Sequence, residues 1–490
     1  MNFASLPDRR AELDPQGAAV RDGRQSLTNT QLLHRVRAAA RHLQDLGIGP
    51  GDVVALKLTN RVEFVLLLFA AWRIGATITP VNPGMTDAEV TRQLDDSGAR
   101  LLVVEDGQAV VGSSVAQLPV GELYGQAVEP DRAPHQDSSA LALLIYTSGT
   151  TGVPKGVMLD HANIDAMVDM ACQALQLGPE DRCLLILPLF HVNGIVVSTL
   201  TPLLAGASVV IAGRFDPQSF FDLVEQERPS FFSAVPTIYS MLAALPEDVR
   251  PDTSSLRFAV CGAAPASAEL LTRFEERYGF PIIEGYGLSE GTCGSTCNPV
   301  AGPRRAGTVG LPFPGQEIRI LDADGAEVAP GMDGEVVIRG ANVMRGYLGR
   351  PDETARAIVD GWLHTGDVGH LDADGYLTLV GRSKDMIIRG GENIYPKEIE
   401  DVLTRDPSVL EAAVIGVPDE KWGEVVVAYV QPRPGAMVDP AALTALCAGS
   451  LTGYKRPTSY IVVDAIPKNA VGKIDKPSLR AAHAAATAGS

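Results

Sequence analysis

The 490-residue sequence has few cysteines and no cysteine spacing that is typical of a metal site. The closest pair among its six cysteines, Cys293 and Cys297, has no second pair or histidine cluster beside it. We therefore expect no zinc site. So few cysteines in so long a chain predict reduced thiols, as in a cytoplasmic protein.

The sequence is also short of basic side chains, because 41 lysines and arginines face 59 aspartates and glutamates, for a formal charge of −18. This charge argues against non-specific binding to nucleic acid or to an anionic membrane. Residues 1–10 lack the apolar core of a signal peptide. The longest apolar run, Phe64–Trp72, is far too short to cross a bilayer and predicts a buried helix.

The balance of 46% apolar and 20% charged residues is typical of a globular protein, and the length predicts two or three domains. Strands alternate with helices over the first 300 residues, which predicts an α/β architecture with a largely parallel sheet. One amphipathic helix is expected near residues 26–48, capped by Thr28 or Thr30.

Residues Tyr146–Val157 combine four serine and threonine side chains, three glycines and a lysine directly after the apolar run Leu141–Ile145. Glycines allow backbone N–H groups to turn toward an anion, and hydroxyls and a lysine add further donors. The segment differs from a Walker A loop because Lys155 is followed by Gly156. A phosphate-binding loop is the favoured interpretation, and an ordinary surface loop is the alternative.

Three further strands run into loops rich in small or polar residues: Cys183–Leu187, Leu256–Val260 and Pro281–Ile283. In open parallel sheets such strand ends gather along one edge, where ligands bind. From about Thr308 the pattern changes to alternating strands joined by Asp-Gly turns, which predicts antiparallel sheet or a small barrel. A compact unit of strands and helices is expected after Gly381–Asp385.

Taken together, these segments resemble the adenylate-forming superfamily of acyl-CoA synthetases, peptide-synthetase adenylation domains and luciferases. The resemblance covers almost the whole chain, and its strength lies in the order of several motifs. The motifs are Tyr146–Val157, Cys261–Pro265, Tyr286–Glu290, Gly361–Asp367, Gly381–Glu400 and Pro467–Lys473.

The resemblance implies an α/β fold in two parts. A large N-terminal ATP- and acyl-binding domain, residues 1–381, would contain mixed, mostly parallel sheets flanked by helices and a small β-barrel. A hinge at residues 382–384 would join it to a small, mobile α+β domain at 385–490. Lys384 matches the family's hinge position.

The implied reaction joins a carboxylate to the α-phosphate of ATP, releases pyrophosphate, and then transfers the acyl group to a thiol. Such chemistry needs charge neutralisation and positioning. Glu290 would hold Mg²⁺, a cation that prefers carboxylate and phosphate oxygens. The β- and γ-phosphates would be held by Thr147, Ser148, Gly149, Thr150, Thr151, Gly152 and Lys155.

The same resemblance implies a nucleotide site in which Tyr286 stacks on adenine and Asp367 accepts both ribose hydroxyls, supported by Arg382. Ser289 stands where the family usually has threonine, so a hydroxyl is retained. The remaining nucleotide-site residues would be Gly262, Ala263, Ala264, Glu284, Gly285 and Gly287. Taken singly, Asp367 is an ordinary turn aspartate and Tyr286 an ordinary core residue; only the ordered set supports these roles.

Lys473 would reach the carboxylate and α-phosphate oxygens during adenylation and stabilise the developing negative charge. After adenylation, rotation of the small domain would replace Lys473 with a tunnel for the pantetheine arm, formed at Gly390, Gly391 and Glu392. The 390–400 run resembles the CoA-ligase branch. Coenzyme A is therefore the expected acceptor, and a free-standing acyl carrier protein is the alternative.

By superfamily position the acid pocket would be lined by His191, Val192, Leu288 and Cys293, together with Gly262, Ala263, Gly285 and Gly287. These residues are small and mostly uncharged. A packed histidine in a turn is the alternative for His191. An apolar tail would gain burial there, and no arginine in these loops is placed to pair a second carboxylate. A fatty or related apolar acid is the favoured substrate. An aryl acid, a carrier-loading enzyme and a non-catalytic nucleotide sensor are the alternatives.

Overall fold

The computed structural model describes residues 3–123, 133–147, 154–263, 266–468 and 474–488. The chain divides into two compact units. Unit 1 consists of residues 1–318, 338–364 and 375–377, and unit 2 of residues 319–337, 365–374 and 378–490. The domain limit at residue 381 and the hinge at 382–384 stay predictions.

The first sheet of unit 1 has nine strands within the described residues. Its six central strands are parallel, and antiparallel strands complete its edges. This arrangement confirms the predicted parallel sheet. In spatial order the strands are Leu311–Pro312, Thr296–Cys297, Ile282–Tyr286, Phe258–Cys261, Phe231–Ala234, Arg182–Leu185, Ser208–Ile211, Ala18–Arg21 and Ser26–Thr28.

The second sheet of unit 1 has seven strands in the described part of the chain, five of them parallel. Two antiparallel strands extend it on one side. In spatial order the strands are Gly346–Tyr347, Lys155–Asp160, Leu141–Thr147, Thr77–Pro80, Val53–Lys57, Ala99–Val104 and Ala116–Pro119.

Two predicted helices show how local sequence determines structure. Thr28 caps the helix Asn29–Asp45 in a reciprocal capping box with Gln31, as one of the two predicted caps. Ser26–Thr28 forms an edge strand, so the helix begins later than the amphipathic pattern. The helix Val62–Arg73, predicted from the apolar run, is buried along its whole length. The other helices of unit 1 are Leu6–Leu13, Asp87–Ser97, His161–Leu175, Val192–Ile195, Thr201–Leu204, Phe220–Glu227, Pro236–Ala243, Ala268–Tyr278 and Pro351–Ala357.

The region after residue 308, predicted to form antiparallel sheet or a small barrel, contains a third sheet, in which Ile358–Val359 and Trp362–Leu371 pair antiparallel. Its strands are Glu317–Leu321, Gly334–Arg339, Ile358–Val359, Trp362–Leu371 and Leu377–Arg382.

Unit 2 contains its own sheet and core. The strands are Ile387–Arg389, Glu392–Ile394, Val409–Asp419, Gly423–Pro432 and Ser459–Val462, and the helices are Pro396–Leu403, Pro440–Ser450 and Lys476–Ala488. Buried side chains such as Ile399, Leu403 and Leu443 pack these helices against the strands. The compact unit of strands and helices predicted after Gly381–Asp385 is confirmed.

Buried His161 makes the stability of unit 1 sensitive to acid. Its side chain is 1% exposed, its ring lies 5.3 Å from the ring of Trp72, and Nδ1 has no hydrogen-bond partner among the described residues. Burial, together with the charge of His135, lowers the pKa of His161 from 6.5 to about 4. Between these values the unfolded chain binds a proton that the folded chain excludes, so stability falls as pH falls.

We predict that unfolding free energy drops by about 3 kcal/mol more in the wild-type protein than in His161→Phe between pH 6.5 and pH 4. Denaturant unfolding at several pH values measures this difference. His34→Gln, at an exposed histidine, serves as the control and should keep the wild-type slope. Equal pH slopes in the wild type and His161→Phe would contradict the prediction.

Candidate active site

The predicted phosphate-binding loop connects two antiparallel strands. Leu141–Thr147 pairs with Lys155–Asp160, so that Thr147 lies opposite Lys155. A Cβ atom on Gly156 would lie 2.9 Å from Cδ1 of Leu144, so only glycine fits there without displacement of a neighbour. Lys155 is the first residue of the strand that follows the loop, and the pairing of this strand fixes its backbone. The predicted ligands Ser148, Gly149, Thr150, Thr151 and Gly152 lie outside the described residues.

Lys155 faces an anion supplied by the protein itself. Its ammonium forms an ion pair with Glu353, on the helix Pro351–Ala357, and lies 5.1 Å from the ring centre of Tyr347. The hydrogen bond from Lys155 lowers the pKa of Glu353. A carboxylate is a reasonable stand-in for a phosphate oxygen, so the lysine is held in a place suited to anion binding.

Glu290 is held by the segment that also contacts Lys155. It lies in the short 3-10 turn Ser289–Gly291, where the Tyr347 hydroxyl donates a 2.9 Å hydrogen bond to its Oε1. Burial, and then the charge of Glu290, raises the pKa of Tyr347, which keeps the phenol protonated as a donor. Tyr347 lies opposite Val157 in the second sheet. Tyr347 thus contacts both Glu290, the predicted Mg²⁺ ligand, and Lys155, which is predicted to bind phosphate.

Residues 341–347 form a connecting segment, here named the strap, which binds the turn that carries Glu290. The Met344 N–H donates to the Glu290 carbonyl at 2.8 Å, and Asn342 Nδ2 donates to the Gly291 carbonyl at 2.8 Å. Asn163 fixes the strap from the other side, because its Nδ2 donates to the carbonyls of Ala341 and Val343 at 2.9 and 2.8 Å. Glu290 is therefore placed by backbone bonds as well as by its side chain.

The predicted nucleotide residues of unit 1 lie at the ends of adjacent parallel strands. Cys261 pairs with Glu284, which brings Gly262 and Ala263 beside Gly285 and Tyr286. A Cβ on Gly285 would lie 2.9 Å from the Thr296 carbonyl oxygen. Ala264 lies outside the described residues.

The backbone at these strand ends is strained. A Cβ on Gly287 would lie 1.7 Å from the Cys293 carbonyl oxygen, which excludes any other residue at position 287. Ala263, Thr292 and Cys293 have positive φ angles of 66°, 58° and 118°. Non-glycine residues in this region cost free energy and concentrate at functional sites.

Within unit 2, Asp367 and Arg382 form the predicted ribose pair. Nε of Arg382 donates to Oδ1 of Asp367 at 2.7 Å, and Asp367 is buried with 5% exposure. Lys384 lies on the 3-10 turn Ser383–Asp385, and burial, followed by the charge of Arg382, lowers its pKa. Its role as a hinge stays a prediction.

The predicted thiol-tunnel residues form a tight turn in unit 2. Gly390 and Gly391 have positive φ angles of 63° and 88°, and the Gly390 N–H donates to the Trp422 carbonyl at 2.7 Å. Exposed Glu392 begins the next strand. Lys473 lies outside the described residues, so its position is not part of this geometry.

The predicted acid-pocket residues lie at the same edge of the first sheet. His191 and Val192 follow the strand Arg182–Leu185, which is separated from Phe258–Cys261 by one strand. The His191 ring lies 4.4 Å from the ring of Phe190. Leu288 accepts a hydrogen bond from the Cys293 N–H at 3.1 Å, and burial raises the pKa of Cys293 to about 12, so that thiol is neutral.

The helix that follows His191 has a feature that the sequence analysis missed. Val196–Leu200 is a π-helical turn between Val192–Ile195 and Thr201–Leu204, and the Thr199 hydroxyl donates to the Gly194 carbonyl at 2.8 Å. Such turns are rare and are found frequently at functional sites. The π-turn therefore supports this edge of the sheet as a binding site.

The sequence analysis also missed Tyr347, Glu353 and Asn342. Tyr347 lies in a two-residue strand, too short for a periodic pattern, and its partner Glu290 is 57 residues away in the chain. A local signal was available in Pro351-Asp352-Glu353, a pattern typical of a helix start, but the sequence analysis did not use it.

The donor set fits Mg²⁺ and a nucleotide. Among the described residues there is no group of three or more histidine, cysteine, aspartate or glutamate side chains able to hold a metal. The Glu290 carboxylate, with Lys155 nearby at the same tyrosine, instead fits Mg²⁺, which binds through one or two carboxylates and the phosphates of a substrate. No helix in the described parts of the chain is long and apolar enough to cross a membrane.

We predict that Tyr347→Phe lowers the rate of adenylation about 10-fold or more, since it removes a hydrogen bond to a charged group. The Mg²⁺ concentration for half-maximal rate should rise, because Glu290 is less well placed. Pyrophosphate exchange at varied Mg²⁺ measures both effects.

The matched control is Tyr376→Phe, because the Tyr376 hydroxyl also donates at 2.7 Å, to the Pro303 carbonyl, and a cation, Arg305, also lies over its ring. This variant should keep the wild-type Mg²⁺ dependence. If both tyrosine variants behave alike, the assigned role of Tyr347 is wrong.

Comparison with known proteins agrees with this geometry. Residues 7–348 match the family described as AMP-binding enzyme, and residues 398–473 match the AMP-binding enzyme C-terminal domain. Feruloyl-CoA synthase of Amycolatopsis sp is 40% identical over 484 residues, with 98% of each chain covered.

Two solved structures extend the comparison to the fold. ATP-bound MatB from Rhodopseudomonas palustris is 32% identical, covers 99% of both chains and superposes with a TM-score of 0.92. The o-succinylbenzoate CoA synthetase MenE from Bacillus subtilis, in complex with its acyl-adenylate, is 32% identical, covers 97% of this chain and 98% of that chain, and has a TM-score of 0.88. The predicted superfamily, α/β fold and enzyme class are confirmed. The chain is an AMP-forming acyl-CoA synthetase and belongs to the AMP-binding enzyme family.

Proposed function

We propose that this ligase activates an apolar carboxylic acid and transfers it to coenzyme A. The observation that carries the adenylation step is the arrangement of Lys155 and Glu290 around Tyr347. With Mg²⁺ held by Glu290, the metal would neutralise phosphate charge. Lys155 would exchange its ion pair with Glu353 for one with the β- and γ-phosphates, and Asp367 with Arg382 would hold the ribose.

The acid pocket supports an apolar substrate. Cys293 is a neutral thiol, and the Phe190 ring is the nearest aromatic group to His191 among the described ring pairs. A fatty acid and an aryl acid both fit this description. The aryl acid has the additional support of the feruloyl-CoA synthase among the relatives, so we propose an aryl acid ahead of a straight-chain one.

A panel of acids with ATP, Mg²⁺ and coenzyme A tests the proposal. Pyrophosphate release and mass detection of the thioester are measured for ferulate-like, benzoate-like, straight-chain and dicarboxylic acids. We expect the highest kcat/KM for an aryl acid. A clear optimum for a dicarboxylic acid would contradict the apolar pocket, and adenylate without CoA thioester would point to an acyl carrier protein as the acceptor.

We further propose that Lys473 acts in adenylation only. Lys473→Ala should lower adenylation by about 100-fold or more, because it removes a charge that stabilises the transition state, and should affect thioester formation from preformed acyl-adenylate far less. Lys455→Ala, which removes a lysine paired with Glu398 at 2.6 Å in the same unit and outside the Pro467–Lys473 motif, is the control. An equal loss in both half-reactions of Lys473→Ala would refute the assigned role.

A further inference from the structure

Asn60 joins the two sheets of unit 1 at their carboxyl edges. It follows the strand Val53–Lys57 of the second sheet and directly precedes Arg61, the N-cap of the buried helix Val62–Arg73. Its Nδ2 donates to the Leu187 carbonyl at 3.0 Å, and its Oδ1 accepts from the Leu189 N–H at 2.8 Å. The side chain therefore makes both bonds that a neighbouring strand would make to residues 187–189, beyond the point where the strand Arg182–Leu185 ends.

The residues on either side of Asn60 are anchored independently. Glu105, at the end of the adjacent strand Ala99–Val104, accepts hydrogen bonds from the Thr59 N–H and hydroxyl at 3.0 and 2.7 Å and forms an ion pair with Arg61. Nε of Arg61 also donates to Glu63 at 2.7 Å. Burial opposes ionisation of Glu105, but the bonds from Thr59 and the charge of Arg61 outweigh it and lower the pKa of Glu105. The residues on both sides of Asn60 are thus fixed by these bonds, and they restrict the position of its side-chain amide.

The turn that Asn60 binds is also held on its other side. The His191 N–H donates to the Pro188 carbonyl at 3.1 Å. A Cβ on Gly194 would lie 2.5 Å from that same carbonyl oxygen, so the turn packs directly against the helix that follows it. The two hydrogen bonds of Asn60, to Leu187 and Leu189, are here named the Asn60 clamp. The half-buried residues Phe190 and His191 lie between this clamp and Gly194 in the chain. Their position depends on both contacts.

We propose that Asn60 is a positioning residue for acid selection, because it fixes the turn that presents Phe190 and His191. The proposal rests on the proposed function in one respect, namely that this turn lines the acid pocket. Asn60 does not touch the nucleotide residues at Glu284–Tyr286 in any described contact. Its loss should therefore affect the acid and leave ATP binding in place.

The test compares Asn60→Ala with Gln117→Ala in the full-length enzyme. Gln117 is a matched control because its amide also makes two backbone bonds, accepting from the Val110 N–H and donating to the Val110 carbonyl, both at 2.9 Å. Acid-dependent pyrophosphate exchange gives kcat/KM for each acid and for ATP. Hydrogen–deuterium exchange of the peptide that contains Leu189 reports directly on the clamp.

In Asn60→Ala we expect kcat/KM for the preferred acid to fall about 10- to 100-fold, as for a displaced pocket group. The order of preference among acids should change, KM for ATP should stay within about two-fold, and the Leu189 amide should exchange faster. Gln117→Ala should show none of these changes. If Asn60→Ala does not fold, Asn60→Asp, which keeps the size and the acceptor but loses the donor, should shift the same quantities in the same direction.

Three results would overturn the proposal: equal losses for acid and ATP, an unchanged order of acids, or unchanged exchange at Leu189. Failure of the proposed function looks different, because the wild-type enzyme would then form no thioester with any apolar acid. An active wild type whose acid preference is shared by Asn60→Ala refutes the role of Asn60 alone.

Discussion

The site of unit 1 depends on the hydrogen bonds between the strap and the turn that carries Glu290. Glu290 and Lys155 can act together only if they stay a fixed distance apart. Lys155 begins a strand of the second sheet, but Glu290 lies in a short 3-10 turn that needs other support. The strap fixes this distance through two sets of contacts. Tyr347 pairs with Val157 in the strand that Lys155 begins, and Tyr347 and Met344 donate hydrogen bonds to Glu290. Asn342 pairs the buried carbonyl of Gly291, and Asn163 binds the carbonyls of Ala341 and Val343 at the other side of the strap.

Side-chain hydrogen bonds also hold the chain at the edges of the two sheets. Parallel strands deliver several chain segments to one edge, but their last residues have no ladder partners to hold them. Here, side-chain amides and glycine contacts supply the missing restraint. Asn60 pairs with residues 187–189, and Gly287 allows backbone to pack on Cys293 at a distance that no side chain permits. The strained φ angles at Ala263, Thr292 and Cys293 persist because these contacts surround them.

The fold and the motif residues could be predicted from the sequence because their signals are local. The apolar run Phe64–Trp72 predicts a buried helix, Thr28 predicts a cap, and the order of short motifs predicts the family. Tyr347, Glu353 and Asn60 could not be found in this way. Their partners lie far away in the chain, and a two-residue strand or a single asparagine in a turn has no periodicity. Only the tertiary structure shows which residues they contact.

The central claim, that Tyr347 acts through Glu290, is tested most directly by a double-mutant cycle. Adenylation rates are compared for the wild type, Glu290→Gln, Tyr347→Phe and the double variant, each at saturating Mg²⁺. If the two side chains act as one unit, Tyr347→Phe should cost less than about two-fold in the Glu290→Gln background, well below its cost in the wild type. Equal costs in both backgrounds would show that the tyrosine acts independently and would contradict this account.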